Sequence, residues 1–235
     1  MGRGLPHGWP DPGTLTASLS LDQADRFIRD NTALIAPPHV PEIVLHLADE
    51  AHDLWQRTEE ELDAIGLQPP FWAFAWAGGQ GLARYVLDHP QVVKGRRVLD
   101  FASGSGLVGI AAAKAGARHV LAADIDPFCA AAIALNAQEN GVALDFTERD
   151  VVGEYGDWDV VLAGDVFYDQ GFAARLLPWF TQLQANGATV LLGDPGRSYL
   201  PGTGLSALAT YEVPVTRALE DAEVKKTTVW RFDSA

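Results

Sequence analysis

Two kinds of apolar pattern alternate along residues 91–235. Short apolar runs, typical of strands, are followed by longer segments with helical spacing. The strand candidates are RRVLDFA, RHVLAAD, ALDFTERD, WDVVLAGD and ATVLLGD; the helix candidates are LVGIAAAKAG, PFCAAAIALNAQENG and QGFAARLLPWFTQLQANG, the last kinked or broken at Pro178. This alternation predicts an α/β fold with a doubly wound parallel sheet. The β-rich runs LATYEVPVTRAL and KKTTVWRF have no helix between them, so we expect an antiparallel C-terminal hairpin that completes a seven-stranded, mostly parallel sheet.

The first ninety residues follow a different pattern. Residues 1–20 are rich in Gly, Pro and Ser, which predicts a flexible tail. Residues 21–90 are expected to form an N-terminal helical extension that covers the ligand site of the core. Within this extension, Pro41 is a favourable first helical residue, and apolar residues follow it at helical spacing. We therefore predict an amphipathic helix over 41–57 and a short helix near 81–88.

Charge and cysteine content narrow the classes of partner and site. The 235-residue chain has a formal net charge of −14, which disfavours nucleic acids and anionic membranes as partners. Cys129 is its only cysteine, so an intrachain disulfide and a cysteine-built zinc site are excluded, as suits a reducing cytosol. No apolar run has the length of a membrane span or the form of a signal core. We expect a cytoplasmic monomer without a metal site.

A glycine-rich turn separates the first core strand from its helix. Gly104 to Gly109 reads GSGLVG, the G-x-G-x-x-G pattern that lets a ligand approach the backbone and the helix N-terminus. Asp100, four residues before the turn, would repel the pyrophosphate of a dinucleotide. S-adenosylmethionine carries an ammonium and no phosphate, so it removes this conflict. We therefore expect Asp100 to help hold its aminoacyl end, with residues 102–106 close beneath it.

Two further acids close later strand candidates. Asp124 lies twenty residues after Gly104, where an acid hydrogen-bonds ribose hydroxyls. Asp150 ends the third strand candidate, where a carboxylate can accept a hydrogen bond from an adenine amino group. Any one strand-terminal Asp could simply cap a helix or form a turn. Three in register favour a nucleoside site at the carboxyl edge of the sheet.

These segments resemble a known family. VLDFASGSG, AADID and ERD are similar to the first three motifs of the class I, seven-stranded S-adenosylmethionine-dependent methyltransferases, which have a Rossmann-like fold. One departure is Ala102, which stands where the first motif usually has a glycine. The resemblance implies S-adenosylmethionine as cofactor and S-adenosylhomocysteine as product.

The segment after the fourth strand candidate bears on the substrate. Asp165 and Tyr168, in GDVFYD, resemble the Asp-x-x-Tyr/Phe signature of the seven-stranded protein-lysine methyltransferases, and the Asn/Asp-Pro-Pro-Tyr motif of other amino-methylating enzymes is absent. A free lysine amine has a pKa of about 10.4 and is protonated at neutral pH. A carboxylate can draw in and orient the ammonium, and an aromatic ring can flank it. The alternative is that Asp165 caps the next helix and Tyr168 packs.

A longer resemblance covers about residues 25–235. The block PPFWAFAWAGGQGLARYVLDHP, with NTALIAPPHVPEIVLHLADEAHDLW and GDPGRSYLP, is similar to the electron-transfer flavoprotein β-subunit lysine methyltransferases. It implies a protein substrate, the electron-transfer flavoprotein β subunit, and places Trp72, Gly79 and Gln80 at the cofactor pocket. The predicted catalytic residues are Asp165 and Tyr168. The predicted cofactor-binding residues are Trp72, Gly79, Asp100, Ala102, Ser103, Gly104, Gly106, Asp124, Ile125, Asp150 and Asp165.

Three other functions stay open on the sequence. A ribosomal-protein methyltransferase shares the same chemistry. A nicotinamide-dependent oxidoreductase could use the glycine turn, although Asp100 argues against it. A non-catalytic nucleoside-binding module is a third. Residues of GDPGRSYL could line the substrate groove or form a turn, Cys129 is expected to be a small core residue, and His46 and His52 are expected on a solvated helix face.

Overall fold

The computed structural model describes residues 20–48, 70–216, 220 and 222–233. In chain order these residues form α1 (Leu21–Asn31), β1 (Ala33–Ile35), β2 (Leu45–Leu47), α2 (Ala77–Asp88), β3 (Arg97–Phe101), α3 (Leu107–Lys114), β4 (His119–Ala123), α4 (Pro127–Glu139), β5 (Asp145–Thr147), β6 (Val160–Gly164), α5 (Gln170–Ala185), β7 (Thr189–Asp194), β8 (Leu205–Pro214) and β9 (Val224–Phe232). The predicted tail, residues 1–19, lies outside the described part of the chain.

The strand order of the main sheet creates a crevice at its centre. Its seven strands run β5-β4-β3-β6-β7-β9-β8. The chain builds outward from β3 to β5, then returns to the other side of β3 to add β6 and β7, all in parallel. A parallel sheet that changes direction in this way opens a ligand crevice at the carboxyl ends of the two central strands. β9 and β8 close one edge as the predicted antiparallel hairpin.

The two faces of the sheet bury different helices. Successive strand residues point to opposite faces. Val160 and Leu162 of β6 pack with the helices α2 and α3, whereas Val161 and Ala163 pack with α5. Continuous apolar strands of this kind are expected when both faces of a parallel sheet are covered. The doubly wound fold class is therefore confirmed, and α5 continues unbroken through Pro178.

The helix predicted over 41–57 is wrong in its described part. Leu45–Leu47 instead forms strand β2, which pairs antiparallel with β1. Side chains of α4 hold this strand: the Val44 N–H donates to Asn140 Oδ1 (3.1 Å) and the His46 N–H donates to Asn136 Oδ1 (2.7 Å). These partners come from ninety or more residues away, so local apolar spacing could not indicate them. Residues 49–57 of the predicted helix lie outside the described residues.

Two other local predictions change. His46 was expected on a solvated helix face; it is a buried strand residue whose Nδ1 lies 3.1 Å from Thr32 Oγ1. The short helix expected near 81–88 begins earlier, at Ala77, and its first turn packs into the site described below. None of the helices in the described ranges is long and apolar enough to cross a membrane.

Candidate active site

The glycine turn between β3 and α3 forms the floor of the crevice. Gly104 (φ +52°) and Gly106 (φ +81°) adopt left-handed backbone conformations. Ala102 has the same conformation (φ +52°), at the position where the methyltransferase motif has its glycine. A Cβ atom on Gly109 would lie 2.9 Å from the Asp100 Oδ2 atom, so this glycine allows α3 to pack closely on β3. The turn thus has the backbone form that the G-x-G-x-x-G pattern predicts.

Asp100 ties the turn to the helix that follows it. Its Oδ2 atom accepts hydrogen bonds from the Gly109 N–H (2.8 Å) and from the Ser103 hydroxyl (2.5 Å). Burial raises the pKa of Asp100 to about 7, and these two hydrogen bonds oppose that rise. The acid therefore has a role inside the protein, and it also lines the crevice where its predicted role lies.

Asp124, at the end of β4, organises the opposite wall. Its Oδ2 atom accepts from the Gly104 N–H (2.9 Å), and its Oδ1 atom accepts from the Asp126 N–H (3.0 Å). Ile125 projects beside it and is 57% exposed. Asp126 caps α4 by accepting from the Phe128 N–H, and burial raises the pKa of Asp126 to about 7. The acid predicted to meet a ribose is thus also a support of the glycine turn.

Asp150 is not where the strand pattern put it. Strand β5 ends at Thr147, so Asp150 lies in the following loop rather than at the strand end. Its carboxylate forms an ion pair with Arg175 of α5 and accepts from the Val152 N–H. Asp150 still lines the crevice, but Arg175 already compensates its charge.

Asp165 is held by contacts on both carboxylate oxygens. Its Oδ2 atom accepts from the Gly79 N–H (2.9 Å), and its Oδ1 atom accepts from the Nε (3.0 Å) and Nη2 (2.5 Å) atoms of Arg197. Its backbone is left-handed (φ +58°), a conformation that is uncommon for residues other than glycine. Burial raises the pKa of Asp165 to about 6, although the Arg197 guanidinium opposes the rise.

The helix-cap alternative for Asp165 is excluded. The N-cap of α5 is Asp169, whose carboxylate accepts from the Phe172 N–H (2.8 Å). Asp165 instead faces the first turn of α2. Its position is therefore not explained by helix capping.

Glycines in the first turn of α2 allow this helix to pack closely against Asp165. A Cβ atom on Gly78 would lie 2.3 Å from the Gly193 carbonyl oxygen and 2.5 Å from Asp165 Oδ2, which no real contact allows. A Cβ atom on Gly79 would meet nothing closer than 4.0 Å. Gln80, the next residue, does not line the crevice: its amide donates to the Ala75 carbonyl (2.7 Å), and its Oε1 accepts from a loop N–H.

Aromatic rings form the rim of the crevice. Phe71 (40% exposed) and Tyr168 (53% exposed) have ring centroids 5.9 Å apart, and Phe71 also meets Trp76 edge-on at 5.7 Å. Trp72 lies deeper, fully buried and stacked on Phe128. Trp72 lines the inner wall of the cleft, and Tyr168 lies at its mouth. The rim is therefore apolar and solvent-facing, and it lines the same cleft as the acids.

These parts surround one cleft of about 750 Å³, a size that suits a nucleoside ligand. The predicted residues that line it are Trp72, Gly79, Asp100, Ala102, Ser103, Gly104, Asp124, Ile125, Asp150, Asp165 and Tyr168. Gly106 does not line the cleft. It is the N-cap of α3, and a Cβ atom on it would meet the Ile133 side chain. Cys129 also lines the cleft, and burial raises the pKa of its thiol well above the usual range. The described residues contain no group of three His, Cys, Asp or Glu side chains placed to hold a metal ion.

Comparison with known proteins decides the family. The family model of the ribosomal protein L11 methyltransferases matches residues 83–167. The electron transfer flavoprotein beta subunit lysine methyltransferase of Xenopus laevis is 39% identical over 214 residues, which cover 88% of this chain and 86% of that protein. This chain belongs to the electron transfer flavoprotein beta subunit lysine methyltransferase family. The predicted family and enzyme class are confirmed, and a methyltransferase family argues against the oxidoreductase alternative.

Two further matches extend the comparison of this lysine methyltransferase with known proteins. The ribosomal protein L11 methyltransferase of Geobacter sulfurreducens is 32% identical and covers 86% of this chain and 75% of that protein. A crystal structure of a Thermoplasma acidophilum protein matches with a TM-score of 0.52 at 17% identity, over 66% of this chain and 89% of that one. The structural likeness bears on the fold alone. The Xenopus laevis relative is thus more similar to this chain than the Geobacter sulfurreducens relative is.

Two charged residues of this lysine methyltransferase site were not among the predicted site residues. Arg197, in the loop after β7, lines the cleft and bonds Asp165. Glu220, in the connection between β8 and β9, is buried and accepts from the Arg197 guanidinium. GDPGRSYL placed Arg197 near the carboxyl edge of the sheet, so the sequence carried a weak signal for it. No local pattern marks Glu220, because the hairpin brings it to the site from a distant part of the chain.

Proposed function

We propose that this enzyme transfers the methyl group of S-adenosylmethionine to lysine side chains of a folded protein, the electron-transfer flavoprotein β subunit. The observation that carries the proposal is Asp165, a carboxylate whose side chain is only 11% exposed and which lines the same nucleoside-sized cleft as the glycine turn and the aromatic rim. The substrate assignment is supported by the printed name of the relative that is 39% identical.

The cleft offers partners to each end of the cofactor. Asp124 has lone pairs beyond those used by Gly104 and Asp126, and these can accept from ribose hydroxyls. Asp100, beside the turn, can face the cationic aminoacyl end. Asp150 can accept from the adenine amino group, although its charge is shared with Arg175. When bound, S-adenosylmethionine supplies an electrophilic methyl group on a sulfonium, and S-adenosylhomocysteine remains after transfer.

The protein's own part in the reaction is to gather, orient and desolvate a lysine amine. Asp165 has a pKa of about 6, so it is ionised at neutral pH and attracts the ammonium. The exposed ring of Tyr168 can flank the same group by a cation–π contact. Once the ammonium has lost its proton to water, the nitrogen lone pair forms the N–C bond as the S–C bond breaks. Positioning of this in-line displacement supplies much of the rate.

The substrate is tested by methyl transfer to purified proteins. We expect labelled S-adenosylmethionine to label the electron-transfer flavoprotein β subunit and not RNA. Because the chain carries a net charge of −14, the rate should fall with added salt if the target lysine lies in a cationic segment.

Ribosomal protein L11 is the competing substrate. The family model of the ribosomal protein L11 methyltransferases matches residues 83–167 of this chain, and one such enzyme matches 86% of the chain at 32% identity. It is therefore assayed in parallel at equal concentration. Labelling of L11 with none on the flavoprotein subunit would reject the proposed substrate, and labelling of RNA above either protein would reject the substrate class.

The cofactor assignment predicts a measurable effect of Asp124. Asp124→Asn keeps an acceptor for the Gly104 N–H but removes the charge that a ribose hydroxyl would meet. Hydrogen bonds to charged groups contribute about 1.5–3 kcal/mol, so we expect the dissociation constant for S-adenosylhomocysteine to rise about tenfold or more. Isothermal calorimetry measures it, with the exposed Asp145→Asn as the matched control. Equal affinity in both variants would remove Asp124 from the site, and tight binding of NAD by the wild type would contradict the cofactor itself.

A further inference from the structure

Arg197 joins the cleft acid to a second, deeper carboxylate. Its Nη1 and Nη2 atoms donate to Glu220 at 3.0 and 2.8 Å, while Nε and Nη2 donate to Asp165 at 3.0 and 2.5 Å. The Glu220 side chain is only 1% exposed, so it does not meet a substrate. Arg197 therefore lies between an acid that lines the cleft and a buried acid that holds it from behind.

The guanidinium is fixed from its backbone to its tip. The Arg197 N–H donates to Asp194 Oδ1 (2.7 Å), which anchors the loop after β7. The guanidinium lies over the Trp76 ring, 5.7 Å from its centroid. Bidentate pairs of this kind fix orientation as well as charge. Few rotamers are open to Arg197, so the direction in which it pulls on Asp165 is set.

We propose that Arg197 is a positioning residue for methyl transfer: anchored by Glu220, it keeps Asp165 ionised and leaves a defined part of that carboxylate free for the lysine amine. This inference rests on the proposed function. Burial of Asp165 favours its protonated form, and a protonated carboxyl would neither attract nor orient an ammonium.

A paired carboxylate also suits the nucleophile. An isolated carboxylate would stabilise the lysine as an ammonium and oppose the loss of its proton. Arg197, which Asp165 shares with Glu220, offsets part of that charge, so Asp165 can hold the N–H groups in place while the amine still becomes neutral. The same ion pair thus balances attraction of the substrate against its activation.

The pH dependence follows from the groups that face Asp165. These are Arg197 from the loop after β7, Glu220 from the β8–β9 connection and the Gly79 N–H from α2; Lys225 of β9 lies 3.7 Å from Glu220. Arg197 lowers the pKa of Asp165, whereas burial and Glu220 raise it. Removing the guanidinium leaves only the raising effects and the Gly79 hydrogen bond. The ionised fraction then falls at a higher pH, so activity is lost earlier as the pH is lowered.

The test compares Arg197→Met, Arg197→Lys and Glu220→Gln with Arg84→Met. Arg84 is the matched control because it also pairs with two carboxylates, Glu42 and Asp88, and its side chain is 19% exposed against 20% for Arg197. Turnover is measured against pH at saturating cofactor and protein substrate, and calorimetry with S-adenosylhomocysteine confirms that each variant is folded.

We expect the acid limb of the Arg197→Met profile to move up by about two pH units, with about tenfold lower kcat at neutral pH and partial recovery in alkali. Arg197→Lys, which keeps the charge, should lie between Arg197→Met and the wild type. Glu220→Gln removes a carboxylate that raises the pKa of Asp165, so its acid limb should move the other way, to lower pH. If Arg197→Met does not fold, the upward shift of the limb in Arg197→Lys and the downward shift in Glu220→Gln decide.

Three outcomes would overturn the inference: a limb that does not move while kcat falls equally at every pH, a rise in kcat, or the same change in Arg84→Met. An unmoved limb would indicate that Arg197 has a purely structural role. A rise in kcat would indicate that Arg197 blocks the site. A wild-type enzyme that labels no lysine contradicts the proposed function instead, so the two failures are distinct.

Discussion

Replacing Asp165 with Asn is expected to lower kcat about a hundredfold or more while the affinity for S-adenosylhomocysteine stays within about twofold. Groups that hold or polarise the reacting atoms contribute effects of this size. Asn keeps the shape of the side chain and an acceptor for the Gly79 N–H or Arg197, but it cannot attract an ammonium. Asn also tolerates the left-handed backbone at this position (φ +58°), so the fold should persist.

The comparison for this variant is Asp169→Asn. Asp169 is also an aspartate and lies four residues after Asp165, but its carboxylate caps α5 by accepting from the Phe172 N–H. Asn is an equally good N-cap residue, so turnover should change little. Both variants are assayed at saturating cofactor, which separates chemistry from binding. Retained turnover in Asp165→Asn together with lost turnover in Asp169→Asn would mean that the motif has been aligned in the wrong register.

Gly78→Ala is expected to unfold the site and lower the thermal midpoint by about 6–12 °C. The added Cβ atom would lie 2.3 Å from the Gly193 carbonyl oxygen and 2.5 Å from Asp165 Oδ2, so the backbone of β7 and the hydrogen-bonded Asp165 carboxylate leave it no room. Overpacking of this kind costs about 3 kcal/mol or more, and each kcal/mol shifts the midpoint of a chain this size by about 2–4 °C. Differential scanning calorimetry measures the change.

The neighbouring Gly79→Ala separates packing from ligand binding. A Cβ atom there would make only ordinary contacts, at 4.0 Å with Leu107 and Val108, and it replaces a helical glycine, so stability should hold or rise by up to about 1 kcal/mol. Gly79 lines the cleft, however, and the methyl group would occupy space that the cofactor needs. We therefore expect weaker binding of S-adenosylhomocysteine at unchanged stability. A loss of stability in Gly79→Ala equal to that in Gly78→Ala would contradict this division of roles.

The sheet and much of the cleft could be predicted because they depend on local patterns. The strand candidates, the glycine turn and Asp124 at its strand end are each marked by spacing within a few residues, and the parallel sheet brings such ends together. What could not be predicted depends on distant partners. Strand β2 forms because Asn136 and Asn140 bind its backbone, and Asp150 lies beyond a strand that stops at Thr147.

The buried ion pair shows the same limit more sharply. Asp165 matched a known motif. Its partner Arg197 lies in GDPGRSYL, and the sequence left open whether residues of that segment line the substrate groove or form a turn. Glu220 reaches the site only because the antiparallel hairpin folds back beside β7. Ion pairs between elements have no sequence spacing of their own, so the charge state of a motif acid cannot be inferred from the motif.

The left-handed backbone of Asp165 has an evolutionary consequence. Besides Asp, the residues that such a conformation accepts most readily are Gly and Asn, and both are a single-nucleotide change from an Asp codon. The commonest accidental replacements at this position therefore fit the fold. A gene copy released from selection is therefore expected to lose turnover through Asn or Gly at position 165 while its product still folds.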